Sequence, residues 1–132
     1  MKIAYIMRGI PGSGKTPRAI ELAGTYGKVH STSDYFLIDG EYRFDPREQR
    51  QNHADNYDAF VESLAFGITP VVCDNTNVRR WEYARYVKVA QDHGYEVEII
   101  VMPHPDPETA SQFGVHHVPV EQIIRMIENW ED

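Results

Sequence analysis

The chain has 132 residues, 42% of them apolar, one cysteine and a formal net charge of −7. That length and apolar content suit one domain, residues 1–132, around one core. The lone Cys73 excludes an internal disulfide framework, no apolar run approaches the ~20 residues of a membrane span, and the acidic balance excludes a general attraction to polyphosphate.

Taken in chain order, Ile3–Arg8 is a short apolar run ending in glycine, which predicts a buried strand. Residues 15–26 predict a helix stopped by Gly27, and Lys28–Ser31 a short second strand. Asp45-Pro46-Arg47-Glu48 has the order of a capped helix start: Asp45 as cap, Pro46 at the first position, Glu48 where a capping box places an acid. In the long helix that follows, Ala54, Tyr57, Val61 and Leu64 are expected on one face, with Gly67 as the stop. Residues 70–73 predict a third strand, 79–93 a helix buried through Tyr83, Val87 and Ala90, and 96–102 a fourth strand. Pro119 opens a last helix with the stripe Val120, Ile123, Ile127 and Trp130. This alternation predicts an α/β fold with a parallel sheet covered on both faces, and ligands beyond the C-terminal ends of its strands.

Three informative segments fall at those strand ends. After strand one, Gly9-Ile10-Pro11-Gly12-Ser13-Gly14-Lys15-Thr16 matches the phosphate-loop pattern G-x-x-x-x-G-K-[ST] in its required strand–loop–helix context. Gly12, Ser13 and Gly14 let the backbone wrap a polyphosphate. Lys15 reaches the β and γ phosphates, and Thr16 offers its hydroxyl to Mg2+. Pro17 deletes a backbone N–H expected to face the α-phosphate. A hydrogen bond to a charged partner is worth about 1.5–3 kcal/mol, so nucleotide affinity is expected to fall roughly tenfold to a hundredfold. First-turn N–H groups have no intrahelical partner, so the proline tunes the loop without breaking the helix.

After strand three, Val71–Asn77 reads VVCDNTN. Asp74, ending a buried strand beside the phosphate loop, suits a water-mediated magnesium contact or else a simple turn; Asn77 either positions a loop or caps the next helix. Cys73 reads as a small buried hydrophobe. After strand two, Ser31–Phe36 reads STSDYF, where Asp34 either orients an acceptor hydroxyl as general base or caps a turn. Tyr35, Phe36 and Tyr42 are the candidates for stacking on a base or sugar, whereas Trp81, Tyr83 and Tyr86 read as packing residues and His53 either as a satisfied histidine or as one pointing at an acceptor.

With G-I-P-G-S-G-K-T, S-T-S-D-Y-F, D-N-T-N and the tail HHVPVEQIIRMIENWE, nearly the whole chain resembles the kinase domain of polynucleotide 5′-hydroxyl kinases and their small single-domain P-loop relatives. The resemblance implies a three-layer P-loop kinase fold, about four parallel strands and a small helical lid around residues 107–117. It implies ATP and Mg2+ as cofactors, Lys15 and Asp34 as catalytic residues, and Thr16 and Asp74 at the metal; the phosphatase or ligase domain that full repair enzymes often carry is not expected within residues 1–132.

Two positions depart from the family. Phe113 stands where the family carries a lid arginine that touches the donor phosphates, a loss worth orders of magnitude in rate. The arginine that grips the acceptor's 3′ phosphate, near Leu37, is also absent; Arg43, Arg47, Arg79 and Arg80 are the available substitutes. His116 and His117 either pack in the lid or add partial charge there. Three functions stay open: an ATP-dependent kinase of a nucleic acid 5′ end or nucleotide-like acceptor, a kinase of a small non-nucleic alcohol, and a nucleotide-binding module with little transfer. The first is the expectation, because Asp34 has little purpose in a passive binder. Any nucleic-acid contact should be local, and the expected location is cytoplasmic, away from membranes, with MKIAYIMRGI broken too early to be a secretory signal.

Overall fold

The computed structural model describes residues 1–114 and 116–132; Val115, inside the expected lid segment, lies outside the described residues. The elements run β1 (Ile3–Arg8), α1 (Lys15–Ala23), β2 (Lys28–His30), a 3-10 helix (Thr32–Phe36), β3 (Leu37–Ile38), β4 (Glu41–Tyr42), a second 3-10 turn (Pro46–Glu48), α2 (Gln49–Ala65), β5 (Val71–Asp74), α3 (Arg80–Asp92), β6 (Glu96–Val101), α4 (Pro107–Phe113) and α5 (Val120–Glu128). The main sheet has the order β2-β5-β1-β6, with every pairing parallel. The central strands β1 and β5 end side by side, and the loops leaving them form the floor of the site.

Strand alternation divides the core between two faces. Ala4 and Ile6 of β1 with Val71 and Cys73 of β5 pack against Phe60, Leu64, Tyr83, Tyr86 and Ala90 of α2 and α3. Met7 and Val72 turn the other way, onto Ala19 and Ala23 of α1. A third cluster, Ile10, Ala110 and Ile123, fastens α4 and α5 over the phosphate loop. The result is a layered α/β fold built on a four-stranded parallel sheet, with α4 and α5 over the loop after β1. Among the described residues no helix is long and apolar enough to cross a membrane.

Several local expectations are corrected. Helix α1 ends at Ala23 with Gly24 in the left-handed region, φ 64°, ahead of Gly27. Asp45 does cap, accepting from Arg47 N at 2.9 Å, but the turn it caps is 3-10 and Glu48 makes no capping box. Of the expected stripe of α2 only Leu64 is fully buried, with Tyr57 packed at the edge of the core; the rest of the buried face is Asn52, Asn56, Phe60 and Ser63, because polar partners on α3 and β2 receive it. Asn56 Nδ2 donates to Tyr86 Oη at 3.2 Å, and Ser63 Oγ lies 2.7 Å from His30 Nε2. Pro119 is the cap of α5, and of its stripe only Ile123 is fully buried. Between Phe36 and Asp45 the chain forms the antiparallel hairpin β3–β4, turned by Asp39 and Gly40 at φ 52° and 80°. Asp-Gly is the dipeptide that permits two positive φ angles in succession.

Candidate functional site

Two glycines shape the phosphate loop. Gly12 and Gly14 both hold φ 83°, a conformation that favours glycine, and a Cβ on Gly12 would sit 2.6 Å from the Ala110 carbonyl oxygen. Loop and lid helix therefore approach backbone to backbone. Gly14 caps α1, and the first intrahelical bond runs from Arg18 N to Gly14 O at 3.2 Å, so the N–H groups of Lys15 and Thr16 have no helical acceptor. Ser13 Oγ is buried without a hydrogen-bond partner. A loop with spare donors and an orphaned hydroxyl fits a polyphosphate.

Lys15 Nζ donates to Asp74 Oδ1 at 2.7 Å and Thr16 Oγ1 donates to Asp74 Oδ2 at 2.9 Å. The Asp74 side chain is fully buried at the end of β5 and Lys15 nearly so. No group of three or more His, Cys, Asp and Glu side chains able to hold a metal occurs among the described residues. Thr16 and Asp74 are two oxygen donors, which fits Mg2+, an ion held by one or two protein ligands together with phosphate oxygens and water.

Asp34 stands on the first 3-10 helix with its N–H bonded to Ser31 O at 3.1 Å. That segment is tied to the neighbouring strand end by Thr32 N donating to Asn75 Oδ1 at 2.9 Å. Burial, and next the charge of Asp74, push the Asp34 carboxyl above its ordinary range, while His116 opposes them. His116 is itself held below the usual histidine value by burial, with Asp34 opposing and Lys15 adding to the effect. Its ring stacks on Tyr42 at 3.7 Å, so the hairpin holds the lid segment over the cleft.

These groups share one cleft of about 1600 Å³, which Lys15, Thr16, Asp34 and Asp74 all line. Phe113 is 74% exposed on its rim. Asn77 is no helix cap. It is fully buried at φ 50° and donates from Nδ2 to Met7 O at 2.7 Å, while Arg79 occupies the cap position of α3. Phe36 is buried against Tyr42 and Phe44, so it packs the hairpin and does not offer a stacking face. Trp81, read as packing, is instead 73% exposed and lines the cleft.

Arg8 escaped the sequence reading. Its buried guanidinium donates to the carbonyls of Asn77 at 2.9 Å, Val78 at 3.0 Å and Glu131, between the rings of Tyr83 and Trp130. One side chain thereby locks the end of β1, the loop after Asp74 and the tail of α5. An arginine closing an otherwise apolar strand is the signal that could have found it.

A family model described as an AAA domain matches residues 5–114. The chain belongs to this AAA domain family. It is 34% identical to NEDD4-binding protein 2 of Homo sapiens over 137 residues, 98% of this chain and 8% of that protein. Among solved structures it is similar to a chain of the Pnkp1/Rnl/Hen1 RNA repair complex, with TM-score 0.74 and 19% identity over 97% of this chain and 43% of the other. It is also similar to Chaetomium thermophilum Kti12 in complex with ADP-AlF3, with TM-score 0.67 and 14% identity over 98% and 80%. At those identities the two structures show the fold alone.

Proposed function

We propose that this P-loop kinase domain transfers the γ-phosphate of ATP to an acceptor hydroxyl, and that the 5′-hydroxyl of a nucleic acid end is the acceptor its site supports best. The observation that carries the reading is the meeting of Lys15, Thr16 and Asp74 with Asp34 on one cleft. The kinase fold and the similarity to a chain of an RNA repair complex support it, as does the nucleotide analogue bound by Kti12.

Lys15 Nζ exchanges one oxygen of Asp74 for phosphate oxygens, and the free N–H groups at the head of α1 hold the rest of the chain of phosphates. Thr16 and Asp74 would hold Mg2+, which supplies charge neutralisation on the phosphates when bound. Asp34 takes the proton of the acceptor hydroxyl as the new O–P bond forms and the bond to the leaving ADP oxygen breaks. Its raised pKa makes it a better proton acceptor than an ordinary carboxylate.

Phe113 on the lid and Pro17 in the loop favour a second reading, a nucleotide-binding module with slow transfer. A labelled-ATP assay offering single-stranded DNA, RNA and a panel of small alcohols decides between them. Transfer to 5′-hydroxyl ends is expected, and Asp34→Asn should lose about a hundredfold or more while still binding ATP. Full activity in that variant removes Asp34 as base, transfer to alcohols alone removes the nucleic acid acceptor, and no transfer leaves the binding module.

A further inference from the structure

Nine arginines serve this acidic chain, and their surroundings differ. Arg8 is buried on carbonyl oxygens, Arg80 donates to the Asp132 carbonyl, and Arg18, Arg43 and Arg47 are ion-paired with Glu21, Glu41 and Asp45. The other four, Arg50, Arg79, Arg85 and Arg125, have no carboxylate within ion-pair distance among the described residues, and all four line the cleft that holds Lys15 and Asp34. Of the substitutes named for the acceptor's phosphate, then, Arg43, Arg47 and Arg80 are engaged elsewhere and Arg79 is available.

Arg125 faces the cleft from α5. Arg50 comes from the first turn of α2, Arg79 from the cap of α3 and Arg85 from its second turn. These arginines share the cleft with the proposed base: the segment that carries Asp34 meets α2 where Thr32 Oγ1 lies 3.1 Å from His53 Nδ1, and the Arg85 charge, after burial, holds His53 below its ordinary value. The Arg85 guanidinium lies over the Tyr57 ring at 4.6 Å, which holds its direction without neutralising it. Trp81 is exposed in the same cleft, one helical turn before Arg85 and about 6 Å from it along the axis. Leaving uncompensated cations around a single cleft of a chain with net charge −7 makes that cleft the place where an anion is attracted.

We infer that this part of the cleft is a track for the strand that follows the acceptor's first nucleotide, with Arg50, Arg79 and Arg85 taking successive phosphodiesters and Trp81 stacking on an unpaired base. The inference rests on the transferase reading and narrows its acceptor to a single strand several nucleotides long. A small alcohol would leave the track unused.

The test is fluorescence anisotropy with 3′-labelled, 5′-hydroxyl oligodeoxynucleotides of increasing length, titrated against the whole chain without ATP across a range of salt. Affinity should rise with length up to about four nucleotides. The slope of log K against log salt should approach roughly −2, from about −0.7 for each of three phosphates. In the double variant Arg50→Gln/Arg85→Gln the slope should drop to about −0.7, whereas Trp81→Ala should weaken binding about tenfold at unchanged slope. Thermal melts by circular dichroism verify that both variants fold. A slope untouched by the double variant, or affinity independent of length, overturns the track. Binding with these dependences but without phosphate transfer keeps the track and removes the transferase reading; transfer to small alcohols with no dependence on length or on the arginines does the reverse.

Discussion

Asp74 is a carboxylate with no exposed side-chain surface, and both of its oxygens are taken, by Lys15 at 2.7 Å and Thr16 at 2.9 Å. Removing one partner of a buried pair leaves a charge that neither water nor protein neutralises, which costs about 3–5 kcal/mol. Lys15→Ala should therefore lower unfolding stability by about 3 kcal/mol in addition to abolishing nucleotide binding, and Asp74→Asn in the same chain should restore most of the stability without restoring binding. Urea unfolding of the single and double variants checks this; equal midpoints for the wild type and Lys15→Ala would mean the pair is not energetically coupled. Cys73, one residue before, has the opposite character: burial pushes its thiol up to about 12, so it stays an uncharged packing group.

At the scale of the element, under the proposed function the head of α1 decides how tightly a nucleotide is held. Pro17 lies in its first turn and lines the cleft, and the helix starts normally because the first intrahelical donor is Arg18. The proline thus costs the helix no hydrogen bond and costs the cleft one donor. Pro17→Ser should tighten nucleotide binding about tenfold or more, read by calorimetry. Unchanged or weaker binding would show that the missing N–H never faced the phosphates. The lid elements α4 and α5 are held to the loop by Ile10, Ala110 and Ile123, and to the hairpin by His116 on Tyr42.

For the whole molecule, acid stability should carry the mark of His30, which joins the edge strand β2 to α2 through Ser63 and lies edge-on to Phe60. Burial, assisted by the Lys28 charge, holds it down to about 4 from an ordinary 6.5. The unfolded chain therefore binds this proton first, so stability is fully present above about pH 6.5 and declines as pH falls toward 4. His53 and His116 are lowered too and add to the decline, while the raised Asp34 acts in the opposite sense. Thermal melts between those limits should show a loss on the order of 1–2 kcal/mol that His30→Gln largely removes. A pH-independent difference between the two proteins would mean that His30 is not held neutral by folding.

Much of the architecture was legible in local chemistry. Ile3–Arg8 and residues 70–73 read as apolar runs, Gly67 and Gly94 as stops, and Gly12 and Gly14 as the turns of a loop between strand and helix, because each depends on backbone rules that act over a few residues. The polar face of α2 was not legible: Asn52, Asn56 and Ser63 are buried because partners on distant elements receive them, and periodicity records polarity but not partners. The arginines behave likewise. Nothing local separates Arg43 and Arg47, spent on neighbouring acids, from Arg50 and Arg85, left facing the cleft, or from Arg8, buried on carbonyls. By itself the sequence determined the strands, the glycine-shaped loop and the residues that are candidates for the chemistry; only the tertiary structure decided which charges are already satisfied, since pairing depends on distances that the order of residues does not contain.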